Sequence, residues 1–234
     1  MRILRSVYNK AVGEGIASQR APFEKVYTGV DKTRKRAVDM ATIESLRKLD
    51  LRGSRSLAYA RDLFVFSFYM RGMAFLDMAY LRKSDVRDQT AQYIRRKTGQ
   101  SLCIRLEPCI TEIIRRYARK TKNSPYVFPI IAATDENEAY AQYQNALSYY
   151  NKLLKKLSKL LQADTPLSSY VSRHTWATTA RNCDIPLSVI SAGLGHRSQA
   201  TTQIYLASLE DSVIDEANRK IIFSLNRPGK TSSL

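Results

Sequence analysis

The sequence predicts an α+β domain that is mainly α-helical and carries one small antiparallel sheet. Apolar residues recur at helical spacing through most of the chain, and "LAYARDLFVFSFYM" is apolar on nearly every side, as a central core helix would be. One stretch breaks this pattern: "AQYIRRKTGQSLCIRL" holds two short strand-like runs around Thr98 and Gly99, which suit a hairpin turn. With 234 residues, 44% of them apolar, the chain can bury a substantial core.

The amino-terminal elements are a helix end and a linker. Residues 1–18 are predicted to contain the end of an amphipathic helix that begins without a cap, so we expect it to be the last helix of a longer unit. Residues 19–37 contain a proline, a glycine and the cluster "KTRKR", which favour a basic linker. The helical pattern resumes in "VDMATIESLRKL". We therefore place the main domain at residues 38–225 and a flexible tail at residues 226–234.

The rest of the main domain is expected to consist of helices, with the hairpin near its middle. We expect helices in "MRGMAFLDMAYLRKSDV" before the hairpin, and in "CITEIIRRYARK" and residues 138–161 after it. The apolar stripe of the last of these fits a core face and consists of Tyr143, Leu147, Tyr150, Leu154, Leu157 and Leu161. "SYVSRHTWATTARNC" is also helical. A short helix then opens at Pro186 and stops at Gly193 and Gly195, and a final helix carries Tyr205.

The charge of the chain indicates a polyanionic partner. Lys and Arg number 38 against 21 Asp and Glu, and the resulting net charge of +17 exceeds what solubility requires. A domain this basic is typical of nucleic-acid binding. The longest apolar run is too short to cross a bilayer and no export signal is visible, so we expect a cytoplasmic protein. Three cysteines without a Cys-x-x-Cys pair, and two histidines, favour neither a disulfide framework nor a metal site, and no cofactor is indicated.

The segment "PLSVISAGLGHRSQATTQIY" is compatible with two functions. Its helix, glycine turn and helix have the lengths of a helix-turn-helix, so a DNA-binding regulator is one candidate. In the other interpretation, Tyr205 is a nucleophile toward a DNA phosphodiester. That chemistry needs arginines for the charged phosphate oxygens and a proton donor for the leaving oxygen. Arg173 in "SRHTW", Lys97 at the hairpin tip and Arg71 at the end of the core helix could supply these groups.

The chain contains, in this order, an arginine in a helix, a hairpin lysine, "SRHTWAT", and "GLGHRSQATTQIYLAS" with nine positions from His196 to Tyr205. This succession of motifs resembles that of the tyrosine recombinases, the phage integrase family, and especially that of the integrases and invertases of conjugative transposons. The resemblance covers about residues 38–225. It implies that Tyr205 attacks a phosphate, forms a 3′-phosphotyrosyl bond and releases a 5′-hydroxyl, without metal or nucleotide. Arg173 then matches the second family arginine, His196 the histidine of "LGH", and Lys97 the hairpin lysine.

Two positions depart from the family pattern. Tyr170 stands where the family commonly has histidine, and a tyrosine is not a cation at neutral pH. Ala74 stands where the first family arginine is usual. We assign that role to Arg71, because residues three apart share a helix face and its guanidinium could reach the same phosphate. Asp77 and Asp85 are expected to cap or orient arginines. The predicted catalytic residues are Arg71, Lys97, Tyr170, Arg173, His196 and Tyr205.

The resemblance also implies partners. Double-stranded DNA at specific recombination sites is the expected substrate, and the full-length protein is expected to assemble as a tetramer on it. Residues 1–18 would then be the remnant of an upstream core-binding domain. The basic residues expected to contact DNA are Lys32, Arg34, Lys35, Arg36, Arg95, Arg96 and Arg197. Type IB topoisomerases share this chemistry, so DNA relaxation without strand exchange is a third alternative.

Overall fold

The computed structural model describes residues 1–26, 37–196 and Thr202, and the chain divides into two units, Met1–Arg34 and Lys35–Leu234. The first unit begins with helix α1 (Arg2–Gly13). The Tyr8 hydroxyl fastens the segment that follows α1, because it donates to the Ser18 carbonyl oxygen and accepts from the Arg20 amide, both at 2.8 Å.

The second unit is mainly helical with one small sheet, which confirms the predicted fold class. Its described helices are α2 (Met40–Lys48), α3 (Arg55–Tyr69), α4 (Phe75–Ala79), α5 (Pro108–Tyr117), α6 (Glu136–Leu160), α7 (Val171–Asn182) and α8 (Leu187–Leu194), with a 3₁₀ turn at Lys83–Asp85. The strands are β1 (Val86–Arg87), β2 (Thr90–Ile94) and β3 (Ser101–Arg105). They form an antiparallel sheet in the order β1-β2-β3. No helix in the described ranges combines the length and apolarity needed to cross a membrane.

Helix α3 lies at the centre of the core, as its nearly continuous apolar sequence predicts. Its Phe64 and Phe66 are fully buried, and the helix packs against α6 and α7. Ser54 caps it by accepting a hydrogen bond from the Leu57 amide. The predicted apolar stripe of α6 belongs to the same core cluster, so its assignment as a core face is confirmed. Because α3 packs against both α6 and α7, the turn at its carboxyl end has a fixed position in the core.

The segment after α3 differs from the prediction of a continuous helix. Only Phe75–Ala79 is α-helical there, because Arg71 and Gly72 take the left-handed values φ +56° and +70° and the helix cannot continue through them. Ala74 is extended at φ −64° and ψ 146° and precedes α4. Arg71 and Ala74 therefore do not share a helix face, and the prediction that they do was wrong. Arg71 reaches its place through a tight turn instead.

Candidate active site

The turn after α3 packs directly on α7. The Gly72 carbonyl oxygen accepts a hydrogen bond from Nη1 of Arg173 at 2.9 Å. A Cβ atom at Gly72 would lie 2.5 Å from the Arg173 Cα, so only glycine allows this approach. The Ser67 hydroxyl donates to the Met73 carbonyl oxygen at 2.7 Å, and the Ser172 hydroxyl donates to Ser67 over the same distance. These contacts bring the backbone of Arg71 next to Arg173.

Arg173 links three parts of the chain. It lies in the first turn of α7, as expected, and is 3% exposed. Its Nη1 reaches the turn after α3, and its Nη2 donates to the Leu194 carbonyl oxygen at the end of α8. The same Nη2 lies 3.0 Å from Nε2 of His196. The two residues that resemble the family's second arginine and "LGH" histidine are therefore in contact, although 23 positions separate them in sequence.

His196 is neutral, and its tautomer follows from its partners. A guanidinium only donates hydrogen bonds, so Nε2 accepts from Arg173 and the ring proton is on Nδ1. Nδ1 then donates to the Thr202 hydroxyl at 2.8 Å. Burial lowers the pKa of His196 to about 4, with the charges of Arg173, Arg95 and Lys97 contributing in that order. At neutral pH the imidazole thus acts as a hydrogen-bonding group, and the cationic role in the site falls to the arginines and the lysine.

Lys97 lies at the tip of the β2–β3 hairpin, where the sequence placed it. The turn closes through hydrogen bonds from the Arg95 amide to the Gln100 carbonyl oxygen and from the Gly99 amide to the Arg95 carbonyl oxygen, both 2.8 Å. Gly99 has φ +68°, a value that favours glycine. The Lys97 side chain is exposed, and its charge contributes to the lowered pKa of His196. The hairpin therefore holds an exposed lysine beside the Arg173–His196 pair.

The two arginines before Lys97 take different positions. Arg95 is 5% exposed, and its Nη1 donates to the Gly195 carbonyl oxygen at 2.6 Å. This interior position differs from the exposed, DNA-contacting one expected from sequence, because the β2 alternation carries Arg95 to the core side of the sheet. Arg96 remains at the surface, where its guanidinium lies 3.8 Å from the centre of the Tyr80 ring and 3.4 Å from the Glu136 carboxylate.

The acidic residues near the hairpin orient backbone and arginine groups, as predicted. Asp77 is buried. It accepts a hydrogen bond from the Arg96 amide at 2.9 Å and lies 3.7 Å from Nε of Arg95. Burial raises the pKa of Asp77, and the neighbouring amide and arginines oppose that rise. Asp85 accepts from the Arg82 amide at 2.8 Å and so caps the 3₁₀ turn. In the part of the chain that the structure describes, no group of three or more His, Cys, Asp or Glu side chains could hold a metal ion.

Tyr170 stands immediately before α7 and is exposed. The loop that leads to it is fastened to α6: the Leu167 amide donates to Ser158 at 2.7 Å and the Ser169 amide to Asn151 at 2.9 Å. The Tyr170 ring lies edge-on to His174, with 5.3 Å between ring centres. The structure thus places Tyr170 at the surface, three positions ahead of Arg173.

Some predicted residues lie outside the described residues. They are the proposed nucleophile Tyr205 and the basic residues Lys32, Arg34, Lys35, Arg36 and Arg197. Conversely, two features of the site were not predicted from sequence: Thr202, which is buried and accepts a hydrogen bond from Nδ1 of His196, and the Ser67–Ser172 pair. A threonine six positions after the "LGH" histidine offers a weak signal for the first. The serine pair, 105 positions apart, offers none.

Comparison with known proteins agrees with this geometry. Residues 38–211 match the model of the phage integrase family. No curated protein sequence matches the chain. Among solved structures, a lambda integrase dimer bound to a COC' core site has a TM-score of 0.62 at 15% identity, covering 86% of this chain and 69% of that one.

Two further structures extend the comparison. XerA recombinase has a TM-score of 0.56 at 18% identity, and the match covers 95% of this chain and 75% of the XerA chain. The Tn1549 transposon integrase in complex with transposon right end DNA has a TM-score of 0.58 at 14% identity, and the match covers 93% of this chain and 76% of the Tn1549 chain. These likenesses show a shared fold, and the family match spans most of the chain. The chain therefore belongs to the phage integrase family, the tyrosine recombinases, and is a site-specific recombinase.

Proposed function

We propose that the chain cleaves and rejoins DNA strands through a covalent bond between Tyr205 and a DNA 3′-phosphate. The observation that carries this proposal is the contact between Arg173 and His196, with the turn of Arg71 packed on Arg173 and the Lys97 charge acting on His196. Such a cluster concentrates positive charge where a phosphate in the transition state gains negative charge.

Each residue has a distinct role in the proposed reaction. The Tyr205 hydroxyl releases its proton to solvent as its oxygen attacks phosphorus, and the bond to the 5′-oxygen breaks, so one phosphodiester replaces another and no nucleotide is consumed. Arg173 and Arg71 stabilise the non-bridging oxygens. Lys97, on its flexible stem at the hairpin tip, protonates the leaving 5′-oxygen. His196 is neutral and accepts a hydrogen bond from Nη2 of Arg173, so it supports the phosphate indirectly by orienting that guanidinium. Tyr170, exposed immediately before α7, adds a hydroxyl that can donate a hydrogen bond.

Double-stranded DNA is the proposed substrate. The net charge of +17 supports it, as do the similar solved structures, which include a lambda integrase dimer on a core site and the Tn1549 integrase in complex with transposon right end DNA. We assign backbone contacts to the exposed Arg96 and to the basic residues outside the described ranges, namely Lys32, Arg34, Lys35, Arg36 and Arg197.

Assembly and location complete the proposal. Exchange between two duplexes cuts four strands, and one tyrosine per strand requires four subunits, so the protein would act as a tetramer on DNA. We place the catalytic domain at residues 38–225, a range supported by the family match over residues 38–211. A reducing, cytoplasmic location is supported by three unpaired and exposed cysteines, which are Cys103, Cys109 and Cys183.

A covalent-adduct assay tests the proposed nucleophile. A nicked duplex that carries a recombination site bound by the protein is incubated with it, and the mixture is denatured and separated on a gel. Tyr205→Phe should abolish the adduct while DNA affinity stays within about threefold, because one hydroxyl is lost and the phosphate contacts remain. Tyr149→Phe, which alters an exposed tyrosine on α6, is the matched control and should form the adduct normally.

The outcomes separate the three candidate functions. An adduct that persists in Tyr205→Phe would refute the assigned nucleophile. A DNA-binding regulator forms no adduct with any variant. A topoisomerase-like enzyme forms the adduct and relaxes a supercoiled plasmid but does not exchange strands between two duplexes.

A further inference from the structure

Arg95 is buried although arginine is seldom found in a protein interior. Its Nη1 donates to the Gly195 carbonyl oxygen at 2.6 Å, across 100 positions of sequence. Its Nε lies 3.7 Å from Oδ2 of the buried Asp77, close enough for an ion pair but too far for a hydrogen bond. The desolvation cost of a buried ion pair can exceed its attraction, so stability alone does not explain this arrangement.

The carbonyl that Arg95 binds belongs to the peptide immediately before His196. Two consecutive carbonyl oxygens, those of Leu194 and Gly195, accept hydrogen bonds from Arg173 and Arg95 respectively. Gly195 ends α8 in the left-handed region at φ +63°, and a Cβ there would lie 2.8 Å from Cδ of Arg95. The arginine stem therefore packs on the glycine. The backbone that presents His196 is held from two sides by buried guanidinium groups.

Arg95 also acts on His196 through its charge. Among the described residues, the cations that act on the imidazole are Arg173 from α7, and Arg95 and Lys97 from the hairpin, while Thr202 contacts the other ring nitrogen. Burial contributes most to the lowered pKa of His196. Among the charges, Arg173 contributes most and Arg95 is second. Its guanidinium is in addition hydrogen-bonded to the histidine's own backbone segment.

We propose that Arg95 is a positioning residue for strand cleavage. Asp77 orients Arg95, and Arg95 holds the Gly195 carbonyl so that His196 meets Arg173 in the geometry that cleavage requires. Because its side chain lies in the interior, Arg95 acts without touching DNA. This proposal rests on the proposed function, in which Arg173, oriented by His196, binds the reacting phosphate.

The first experiment compares Arg95→Met with Arg105→Met. Both variants lose one positive charge from the sheet, but the Arg105 side chain is 77% exposed and lies near Glu107 at the surface. At saturating nicked DNA, Arg95→Met should lower the rate constant of adduct formation by about 10- to 100-fold, as is typical when the support of an active-site group is removed. Its dissociation constant for DNA should stay within about threefold. Arg105→Met should match the unaltered chain in cleavage rate.

A double variant separates positioning from charge neutralisation. Arg95→Met leaves the buried Asp77 carboxylate without its cation, which could unfold the domain. In Asp77→Asn with Arg95→Met both buried charges are gone, and the asparagine oxygen can still accept from the Arg96 amide. The proposal requires this folded double variant to remain slow, since the donor to the Gly195 carbonyl is still missing. Recovery of normal cleavage would show that Arg95 only neutralises Asp77, and would overturn the proposal.

Proton NMR of the imidazoles gives a second, independent readout. The chain has two histidines, and His174→Asn assigns the remaining signal to His196. In Arg95→Met the titration midpoint of His196 should rise from about 4 toward its ordinary 6.5, whereas Arg105→Met should not move it. An unchanged midpoint, or a loss of DNA affinity as large as the loss of cleavage, would refute the positioning role. If the unaltered chain forms no adduct, the proposed function fails, and the titration still decides whether Arg95 governs His196.

Discussion

Replacing Gly72 with alanine tests how the turn of Arg71 is held against Arg173. The turn needs φ +70° at this position, and a left-handed conformation costs an alanine about 1–2 kcal/mol. The new Cβ would also lie 2.5 Å from the Arg173 Cα and 2.8 Å from its Cβ, so backbone rather than a flexible side chain must move. Overpacking of this kind costs about 1–3 kcal/mol. Together the two effects should lower the free energy of unfolding by about 2–5 kcal/mol, a large share of the ~5–15 kcal/mol of an ordinary domain.

Urea unfolding followed by circular dichroism measures this loss, and Gly53→Ala is the matched control. A methyl group added at Gly53 would meet no atom within 4 Å, and this glycine has no left-handed φ, so its substitution should change stability by no more than about 0.5 kcal/mol. Adduct formation by the folded fraction of Gly72→Ala should also fall, because the Gly72 carbonyl oxygen that binds Arg173 is displaced. Equal stability of the two alanine variants would refute the account of a glycine-dependent contact between the turn and α7.

Three other predictions concern charge. Arg71→Ala should slow cleavage by about 10²-fold with a small loss of DNA affinity, as for a transition-state partner; near-normal cleavage would show that another residue serves in place of the arginine absent at Ala74. His196 stays neutral in the folded chain down to about pH 4 but takes up a proton near 6.5 when unfolded. The free energy of unfolding should therefore fall as pH drops from about 6.5 to 4, and the same titration of His196→Gln should be flatter. DNA affinity should fall by roughly a thousandfold between about 50 and 200 mM salt, and a flat dependence would contradict backbone binding.

The elements that could be predicted from sequence are those with a strong local signal. The core helix α3, the stripe of α6 and the hairpin at Thr98 and Gly99 follow from apolar periodicity and turn residues, which need no knowledge of distant contacts. The turn after α3 could not be predicted in the same way. Arg71 takes φ +56° although it has a Cβ, and what holds it there is a set of contacts with α7 about a hundred positions away. Such long-range contacts override the local backbone preference of Arg71 for negative φ values.

The site shows the same division between motif and long-range packing. The pattern around "LGH" and "SRHTW" identified Arg173 and His196, whose mutual contact the structure shows at 3.0 Å. The protonation state of His196 could not follow from the motif, because it depends on burial and on three cations brought from α7 and the hairpin. A histidine in a basic protein suggests a cationic role, yet burial, with the neighbouring cations adding to it, lowers the pKa of His196 and makes the imidazole neutral.

The position of Arg95 was nevertheless encoded in the strand. Side chains alternate across a sheet with a period of two, so the buried Ala91 and Tyr93 on β2 predict that residue 95 points inward too. The chemical character of the two side chains suggests the opposite orientation, with the apolar Ile94 inside and the charged Arg95 outside. The expectation that Arg95 contacts DNA followed this character rather than the alternation. The structure follows the alternation: Ile94 is 67% exposed while the arginine beside it is buried. A strand that exposes an isoleucine in order to bury an arginine gives up apolar burial and charge solvation together. That loss is explained if the buried guanidinium is needed where it lies, against the peptide that presents His196.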